Sequence, residues 1–596
     1  MGYVFHAPPS FSSSGTRSLL LYSADGGVDY AAGGLSDGEK NERAQNLWLR
    51  GGIPESRPAF CSSGEELTGA LHMTKEFCGS MLLHVGSVLY RLESGAATPL
   101  FSGLPDAKSI PVEFSGKLYL YCHTHIYCVD RTFAAKEVYP TAPLYRESCQ
   151  SNTDVGTIVK TFKPNMLAPY IAIDYDSENT VGTSRGYKFP GDMDKSRHFD
   201  VYFEGELVHP SEYTVEEQRF IFKTLKQTEK NSVRLCYYTT LASKDISGTL
   251  SGCTVGTAFG GGMLEGTRVI LAGNPENGGA YYMSELADPL AFYEGNGGTV
   301  GESAGNITAF SKQNGELLVF TESTVSRMSY HYSSSDGGYF STKTIHAMIG
   351  CDVPESVALA GNRTVFANSS SGIYLVDSTE LFDRMNIVPI SHNITDLTGK
   401  RGYFAQSPEN RKKAKGTVFD RKYLLCAGDA AFVWDFGAAD YSGSDPAKAE
   451  KRMVWTEFEG MENKRFLACG ETVAVLCETA AGCEIQTPAS GEAVRFVLDS
   501  GGMDLGKAHV KKEVCKFALE CKTSRKTPLD FAFYADGQPY FHEKITAEPG
   551  KDGLARVYVS LPRYALDRFR FVISGENANV GLMNLRVDYR VLKKQL

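Results

Sequence analysis

Long apolar runs, paired cysteines and a basic excess are all missing from this sequence of 596 residues. No stretch approaches the roughly 18 consecutive apolar residues of a membrane helix, so we expect no direct membrane insertion. The net charge is −9, which argues against a broad electrostatic grip on nucleic acid. The 14 cysteines are scattered without a CxxC pair, so we expect reduced thiols in a protein made in a cytoplasm.

The first residues, MGYVFHAPPSFSSSG, contain neither the basic stretch nor the apolar stretch of a secretion signal. Gly2 is followed by His6 at the position where a myristoylation signal requires Ser or Thr. We therefore expect neither a signal peptide nor N-terminal lipidation.

The residues that are abundant favour strands. The chain has 31 Tyr, 33 Phe and 60 Gly but only 3 Trp. Aromatic side chains suit half-buried pleated surfaces, and glycine suits the tight turns between strands. Short alternating segments bounded by turn residues recur throughout, and no long run shows the three- and four-residue spacing of a helix. The pattern predicts an all-β protein.

One pattern recurs loosely: a turn residue, an apolar strand, a short polar turn and a second apolar strand. It begins at Gly86, Gly116, Thr267, Gly315, Gly361, Arg421 and Glu471. The later copies are about 45 to 60 residues apart, which is typical of four-stranded propeller blades. Since one blade cannot bury both of its faces alone, such blades stack radially. We predict a β-propeller, with an array of β-sandwiches as the alternative.

Two regions interrupt this repeat and complete the predicted domain organisation. Residues 155–245 read as an inserted small β-sandwich, in which Glu204-Gly205 forms a hairpin turn between alternating strands. Residues 1–154 hold the N-terminal segment and the first blades, and residues 246–500 hold the remaining blades. Residues 501–596 alternate strongly and are predicted to form a C-terminal antiparallel sheet that closes the propeller.

Several segments resemble sites of known chemistry only in part. GGMDLGKA, from Gly501 to Ala508, nearly matches a phosphate-binding loop, but Ala508 replaces the Ser or Thr that holds magnesium. SSSDGGYF, from Ser333 to Phe340, resembles the Asp-box turn of sialidase-type propellers without its Trp. We expect both segments to be turns between strands.

Two further clusters have a functional and a structural interpretation. Cys122, His123, His125 and Cys128 lie on one predicted hairpin and could hold zinc, but we expect one wet strand face and a buried Cys. The basic run Arg411–Lys415 could contact nucleic acid or an acidic partner, and we expect a solvated loop. The sequence therefore predicts no catalytic, cofactor-binding or metal-binding residues, no cofactor and no enzyme activity.

Three segments carry a resemblance to a known family. They are Asn46–Phe60, with Arg57-Pro58-Ala59-Phe60; Arg268–Gly298, with Asn274-Pro275, Ser284, Asp288-Pro289 and Phe292; and Ile349–Ser378, with Ile349-Gly350-Cys351, Pro354, Ser356 and Gly372-Ile373-Tyr374. In this order they resemble turn-and-strand motifs of the tail nozzle (tail tubular protein B) and packaged-DNA stabilisation hub proteins of short-tailed bacteriophages. The family has glycine where this chain has Ala59. The inserted unit is similar to a small β-sandwich of phage tail proteins at Val201-Tyr202, Gly205 and Tyr213-Thr214-Val215.

This resemblance implies a virion structural protein, assembled in the host cytoplasm. The family forms a β-propeller ring, usually a hexamer, that extends the portal channel, helps to retain packaged DNA and conducts it during ejection. The implied partners are portal and adaptor proteins above, tail fibre or needle proteins around or below, and double-stranded DNA that passes without sequence-specific binding. Because the chain is acidic, we hypothesise a lumen that repels phosphate and lets DNA slide.

Two alternatives from other classes stay open. The first is a carbohydrate-active or carbohydrate-binding propeller, whose feature would be Arg, Tyr and carboxylates clustered on the central face. The second is a propeller scaffold of non-viral origin.

Overall fold

The computed structural model describes residues 16–21, 26–31, 40–148, 157–158, 162–168, 170–176, 180–181, 186–224, 226–227, 233–240, 245–260, 266–301, 305–333, 337–379, 384–396, 398–437, 453–505, 510–576 and 579–592. Strands dominate these ranges, which confirms the predicted all-β class. The helices within the described ranges are α1 (Asp245–Ser251), α2 (Pro408–Lys412) and five short 3-10 turns at Pro210–Glu212, Pro275–Asn277, Pro354–Ser356, His392–Ile394 and Tyr403–Ala405. Within the described ranges, no helix combines the length and the apolar character needed to cross a membrane.

The first five strands are distributed over three different sheets. They are β1 (Thr16–Leu21), β2 (Arg43–Gln45), β3 (Leu47–Arg50), β4 (Ile53–Ser56) and β5 (Pro58–Thr68). The N-terminal chain therefore runs through every large module of the protein except the insert.

The first two blades of a propeller follow, each an antiparallel sheet of four strands in chain order. They are built from β6 (Leu71–Phe77), β7 (Ser80–Val85), β8 (Val88–Glu93) and β9 (Ala96–Ser102), and from β10 (Ile110–Phe114), β11 (Lys117–Cys122), β12 (His125–Val129) and β13 (Ala135–Val138).

The predicted insert comes next and forms a separate unit with its own aromatic core. Its strands are β14 (Leu144–Ser148), β15 (Tyr170–Asp176), β16 (Thr180–Val181), β17 (Gly186–Lys188), β18 (Asp200–Phe203), β19 (Glu206–Leu207), β20 (Tyr213–Glu216), β21 (Arg219–Phe222), β22 (Lys226–Gln227) and β23 (Val233–Tyr238). The predicted hairpin is present: Glu204 and Gly205 join β18 to β19 with φ of 51° and 85°, the two positive values of a type I′ turn.

Five more blades complete the propeller. Their strands are β24 (Val255–Phe259), β25 (Arg268–Ala272), β26 (Ala280–Glu285) and β27 (Asp288–Thr299); β28 (Ile307–Gln313), β29 (Glu316–Thr321), β30 (Val325–Ser333) and β31 (Gly337–His346); β32 (Ala358–Ala360), β33 (Arg363–Asn368), β34 (Gly372–Thr379) and β35 (Arg384–Pro389); β36 (Lys415–Phe419), β37 (Lys422–Ala427), β38 (Ala430–Asp435) and β39 (Trp455–Glu459); and β40 (Lys464–Cys469), β41 (Thr472–Glu478) and β42 (Gly482–Ala493).

Blade 7 takes its fourth strand from the N-terminal segment. β5 pairs with β42, so the last blade is built from both ends of the repeat. The first strand of each blade contacts the next blade around the ring. In most cases the partner is the next blade's first strand, but β28 of blade 4 contacts β33 of blade 5, and β40 of blade 7 contacts β7 of blade 1. These seven blades form a closed β-propeller, as predicted.

The repeat seen in the sequence marks the middle of each blade. Its seven copies coincide with the middle strands of seven different blades. In blade 6, every residue of β37 and β38 is buried, because neighbouring blades cover both faces of the sheet. Middle strands therefore read as continuous apolar runs, whereas a strand with one wet face alternates.

The C-terminal region forms a β-sandwich that is fused to blade 6. Its strands are β43 (Phe496–Asp499), β44 (Lys512–Thr523), β45 (Thr527–Ala535), β46 (Gln538–Ala547), β47 (Leu554–Ser560), β48 (Phe569–Gly575) and β49 (Val580–Val591). One sheet has the order β3-β4-β49-β44-β47 with β1 beside β49, and the other, β43-β48-β45-β46, continues through β2 into β39 of blade 6. Phe517 packs between them, with ring centroids 4.7 Å from Phe531 and 4.9 Å from Phe571.

Two of the predicted domain boundaries differ from this arrangement. Residues 501–596 do not close the propeller, because the closing strand is β5, within residues 58–68. The C-terminal sandwich instead pairs with the edge of blade 6. The insert begins at β14, before residue 155, because this short strand pairs in parallel with β15 rather than with a blade.

Candidate functional site

Two clefts open at opposite ends of the propeller channel, both beside blades 6 and 7. One lies where the first strands of these blades begin, and we call it the channel-mouth cleft. The other lies where those strands end, next to the C-terminal sandwich, and we call it the rear cleft. In a propeller, the loops at such positions differ between blades and carry most of the chemical variety.

The channel-mouth cleft has a volume of about 860 Å³ and is lined mainly by polar side chains. Blades 5, 6, 7 and 1 all contribute to its walls. The lining residues are Leu71, Glu355, Ala405, Gln406, Ser407, Asn410, Lys413, Lys415, Cys426, Gly428, Asp429, Glu462, Asn463, Lys464, Arg465 and Glu478.

Arg465 is the central side chain of this cleft and is only 13% exposed. Its Nη2 lies 2.7 Å from Glu355 of blade 5 and 3.3 Å from Glu478 of blade 7. Its Nη1 donates to Thr74 Oγ1 of blade 1 at 3.4 Å. Lys415 of blade 6 forms a second ion pair with Glu478. The Nε–H of Arg465 is buried and meets no acceptor among the described residues.

These contacts tie together blades on one side of the ring. Arg465 of blade 7 reaches past blade 6 to Glu355, in the 3-10 turn before the first strand of blade 5, and also to Thr74 of the neighbouring blade 1. The cluster therefore helps to hold blades 5, 6, 7 and 1 together at this end of the propeller.

The connection from β35 to β36 builds one wall of the cleft and is held firmly in place. Arg411 Nε donates to the Ser369 carbonyl at 2.6 Å, and its Nη1 donates to the Gln406 carbonyl at 2.6 Å. Tyr403 is fully buried within the same connection. Ser407 caps α2 by accepting a hydrogen bond from the Asn410 amide at 3.2 Å.

The predicted basic run Arg411–Lys415 belongs to this wall. Arg411 is bound to backbone carbonyls, Lys413 lies 2.7 Å from Glu409, and Lys415 pairs with Glu478. The run is therefore a helix end and the start of a strand rather than a loop, and Lys412 and Lys413 are exposed to solvent as expected. Arg411, Lys413 and Lys415 are each bound to another residue of this chain.

The charges that line the channel-mouth cleft are balanced. Four are cationic (Lys413, Lys415, Lys464 and Arg465) and four are acidic (Glu355, Asp429, Glu462 and Glu478). The cleft also contains Cys426, whose pKa burial raises to about 12, so its thiol stays protonated and is a poor nucleophile. The arrangement favours recognition by hydrogen bonds over covalent chemistry.

The rear cleft has a volume of about 1140 Å³ and an aromatic floor. Trp48 stacks on Phe458 with ring centroids 5.8 Å apart, and Lys422 Nζ lies 5.5 Å above the Trp48 ring. Lys422 also lies 3.1 Å from Asp420 and 3.6 Å from Asp435. These contacts join the sandwich to blade 6.

A histidine cluster occupies the junction of blades 1 and 2. His72 Nε2 lies 2.5 Å from Asp106, and His84 Nδ1 lies 2.5 Å from the Ser109 hydroxyl. Burial, and next the neighbouring His72, lower the pKa of His84 to about 4, so this ring is neutral at physiological pH. His84 and Ser109 are both buried, which leaves a substrate no access to them.

The hairpin of Cys122, His123, His125 and Cys128 does not assemble as a metal site. His123 lies in the turn with φ of 56°, so it does not share a strand face with His125 as the pattern predicted. His125 contacts Glu137 at 2.7 Å, and burial raises the pKa of both thiols. No group of three or more potential metal ligands occurs anywhere in the described ranges.

The two partial motifs lie between strands. GGMDLGKA connects β43 to β44, which is a strand-to-strand setting, and its residues 506–508 lie outside the described residues. SSSDGGYF begins at the last residue of β30 and ends within β31 of blade 4, and its residues 334–336 likewise lie outside the described residues.

The family-like residue Arg57 holds a junction between modules. Its side chain lies where the chain leaves β4 of the sandwich for β5 of blade 7. Nε donates to Asn46 Oδ1 and Nη2 to the Glu459 carbonyl, both at 2.9 Å, and the guanidinium lies 5.2 Å from the centre of the Phe458 ring. Burial lowers the pKa of Arg57 to about 10, so it remains charged at neutral pH.

The other two family-like segments also form turns. The Asn274 side chain accepts from the Glu276 amide at 3.0 Å and donates to the Thr249 carbonyl at 2.9 Å. The Ser356 hydroxyl donates to the Val353 carbonyl at 2.6 Å. A Cβ at Gly350 would lie 2.3 Å from the Thr321 carbonyl oxygen, so only glycine fits there. All three segments act in architecture rather than chemistry.

Sequence reasoning missed the channel-mouth cluster. Glu355, Lys415 and Arg465 come from three blades and share no local motif. The available signal was positional: charged residues stand at the start of otherwise apolar first strands, as in KGTVF and KRFLAC.

Comparisons with known proteins identify no family. No family model matches the chain, and no curated protein matches it. Among solved structures, PorZ, described as an essential surface component of the type-IX secretion system of Porphyromonas gingivalis, is 10% identical with a TM-score of 0.30. That alignment covers 81% of this chain and 46% of PorZ, so the chain spans less than half of PorZ. AztD from Citrobacter koseri is 11% identical with a TM-score of 0.28, over 66% of this chain and 86% of AztD.

Proposed function

We propose that this chain is a structural component of a bacteriophage tail, a nozzle or hub subunit that extends the portal channel, helps to retain packaged DNA and conducts it during ejection. It acts as a homo-oligomeric ring, a hexamer, in the virion tail. The observation that carries the proposal is the role of the family-like residues. These residues stabilise turns and the junction between the propeller and the C-terminal sandwich, as expected if the resemblance to the family reflects a shared architecture.

The closed arrangement of the blades supports a ring of subunits with a shared lumen. In this proposal DNA passes between copies of the chain rather than along one propeller, whose blades pack against one another all the way round. A ring of propellers around a central lumen provides such a path, and it needs a head-to-tail interface between subunits.

The charge distribution indicates which module would face that lumen. Residues 501–596 contain 17 Lys and Arg against 11 Asp and Glu, although the whole chain has a net charge of −9. The acidic excess therefore lies in the propeller and insert. A lumen lined by the propeller would repel phosphate, whereas one lined by the C-terminal sandwich would retard DNA.

The test is cryo-electron microscopy of virions from the source culture, with an antibody against this chain as the label. We expect label at a short tail below the portal and adaptor, with a six-fold ring whose lumen is acidic. Label on side appendages, or none on particles, would overturn the proposal. A ring with a basic lumen would refute the sliding argument.

One observation favours the carbohydrate-binding alternative. Arg465, Glu355 and Glu478 cluster on the central face of the propeller, as that class requires, although no tyrosine is among the described residues lining the cleft. Turnover of aryl glycosides or host polysaccharide by the purified chain would favour an enzyme of this class over a structural subunit.

A further inference from the structure

The channel-mouth cleft has the size of a ligand site but an unusual lining. Sites for small molecules commonly occupy about 300–1,000 Å³ and are mostly apolar. This cleft measures about 860 Å³, and among its lining residues only Leu71 and Ala405 have purely apolar side chains. An apolar ligand would leave many polar groups unpaired there, so the lining favours a strongly hydrophilic one.

The side chains of the cleft are held in position before any ligand arrives. Gln406 Nε2 donates to Asp429 Oδ1 at 2.9 Å, which ties the wall loop to blade 6. A Cβ at Gly428 would lie 2.2 Å from Gln406 Oε1 and 2.7 Å from Asn410 Nδ2, so these amides sit directly over a glycine. Such preorganisation lowers the entropic cost of binding.

The charges of the cleft disfavour simple ions as ligands, because three of its four cations are paired with carboxylates and the fourth, Lys464, donates to the Gly460 carbonyl at 3.0 Å. Lys415 is paired with Glu478, Arg465 with Glu355, and Lys413 with Glu409. A phosphate or carboxylate ligand would have to break these pairs, and a cation would meet as many positive as negative groups. A neutral ligand can instead bind the outer faces of the paired groups.

The remaining requirement is a ligand that both donates and accepts hydrogen bonds. Carboxylates such as Asp429 and Glu462 accept, while the amides of Asn410, Gln406 and Asn463 do both. Sugar hydroxyls match this mixture, because each one is a donor and an acceptor. We propose that the channel-mouth cleft is a binding site for a neutral oligosaccharide. The inference concerns this cleft alone and does not depend on assembly into a ring.

The test uses the purified full-length chain on an array of neutral, sialylated and sulfated oligosaccharides, followed by titration of any bound sugar. We expect binding to neutral oligosaccharides with little change between 50 and 500 mM NaCl, since no counterions are released. Gln406→Ala and Asn410→Ala should each weaken binding at least tenfold, which is about 1.4 kcal/mol. Gln538→Ala, at an exposed position on β46, is the matched control and should bind like the parent chain.

Three results would overturn the inference: no binding to neutral sugars, binding confined to acidic sugars, or unchanged binding by both cleft variants. Thermal unfolding of each variant distinguishes a damaged fold from a damaged cleft. If one variant unfolds early, the other cleft variant alone decides the comparison with Gln538→Ala.

Discussion

Replacing Arg57 by alanine should loosen the junction between the C-terminal sandwich and blade 7. Arg57 is 6% exposed, and its guanidinium makes two hydrogen bonds of 2.9 Å, to Asn46 Oδ1 and to the Glu459 carbonyl. Hydrogen bonds to a charged group contribute about 1.5–3 kcal/mol each, and relief of its desolvation offsets part of that. We expect a net loss of about 3 kcal/mol in the free energy of local opening.

Native-state hydrogen exchange measures this loss directly, whereas a global unfolding free energy is poorly defined for a chain of several modules. A loss of about 3 kcal/mol corresponds to exchange roughly 100-fold faster. The reporters are the amide of Arg57, which donates to the Asn46 carbonyl, and the amide of Glu459, which donates to Asn46 Oδ1. Both should accelerate, while amides of the insert keep their rates.

Arg50 provides the matched control. It lies seven residues earlier, but its side chain is 62% exposed and 3.9 Å from Glu55. Arg50→Ala should change the same exchange rates by less than a factor of about five, because exposed ion pairs contribute at most about 1 kcal/mol. Equal effects of the two substitutions, or acceleration spread evenly over the insert, would refute the assignment of Arg57 to this junction.

Three further predictions concern packing and titration. Gly350→Ala should cost about 3 kcal/mol and lower the midpoint of thermal unfolding, because its Cβ would meet backbone atoms at 2.3–2.5 Å; an unchanged midpoint would contradict this steric reading. Burial lowers the pKa of His84 to about 4 in the folded chain, so as pH drops this ring is protonated in the unfolded chain before it is protonated in the folded one. Stability should therefore fall as pH drops from about 6.5 to 4, and His84→Asn should flatten this dependence in thermal unfolding. Burial raises the pKa of Glu457, so the contribution of this carboxyl group to stability is present at low pH and is lost as pH rises through the folded pKa. Glu457→Gln should therefore raise the midpoint of thermal unfolding more at pH 7 than at pH 4. A larger rise at pH 4 would contradict the assignment.

The blades were predictable from sequence because their physics is local. β37 and β38 are covered on both faces, and a doubly covered hairpin is a continuous apolar run with one turn. The same holds for Glu204-Gly205, where two positive φ values require a short turn between alternating strands. Such features depend on neighbours a few residues away.

The closing strand and the candidate site were not predictable in this way. β5 pairs with β42, which lies more than 400 residues later in the chain. The sequence of β5 indicates a strand but does not indicate which strand it pairs with. Arg465 contacts Glu355 and Thr74 because the curvature of the ring brings blades 5, 7 and 1 close together. Without that curvature, nothing in the spacing of these residues indicates a contact.

The position of β5 also governs how this chain is made. A ribosome adds about 5–20 residues per second, so β5 waits roughly 20 to 85 seconds before Ala493 of its partner strand exists. During that time the growing propeller is an open arc with two unpaired edges. A second nascent chain on the same message carries an identical β5 that can compete for this edge, although the chain's own β5 has the advantage of covalent linkage. Correct closure then depends on how quickly the chain's own β5 pairs with β42 once β42 has been made.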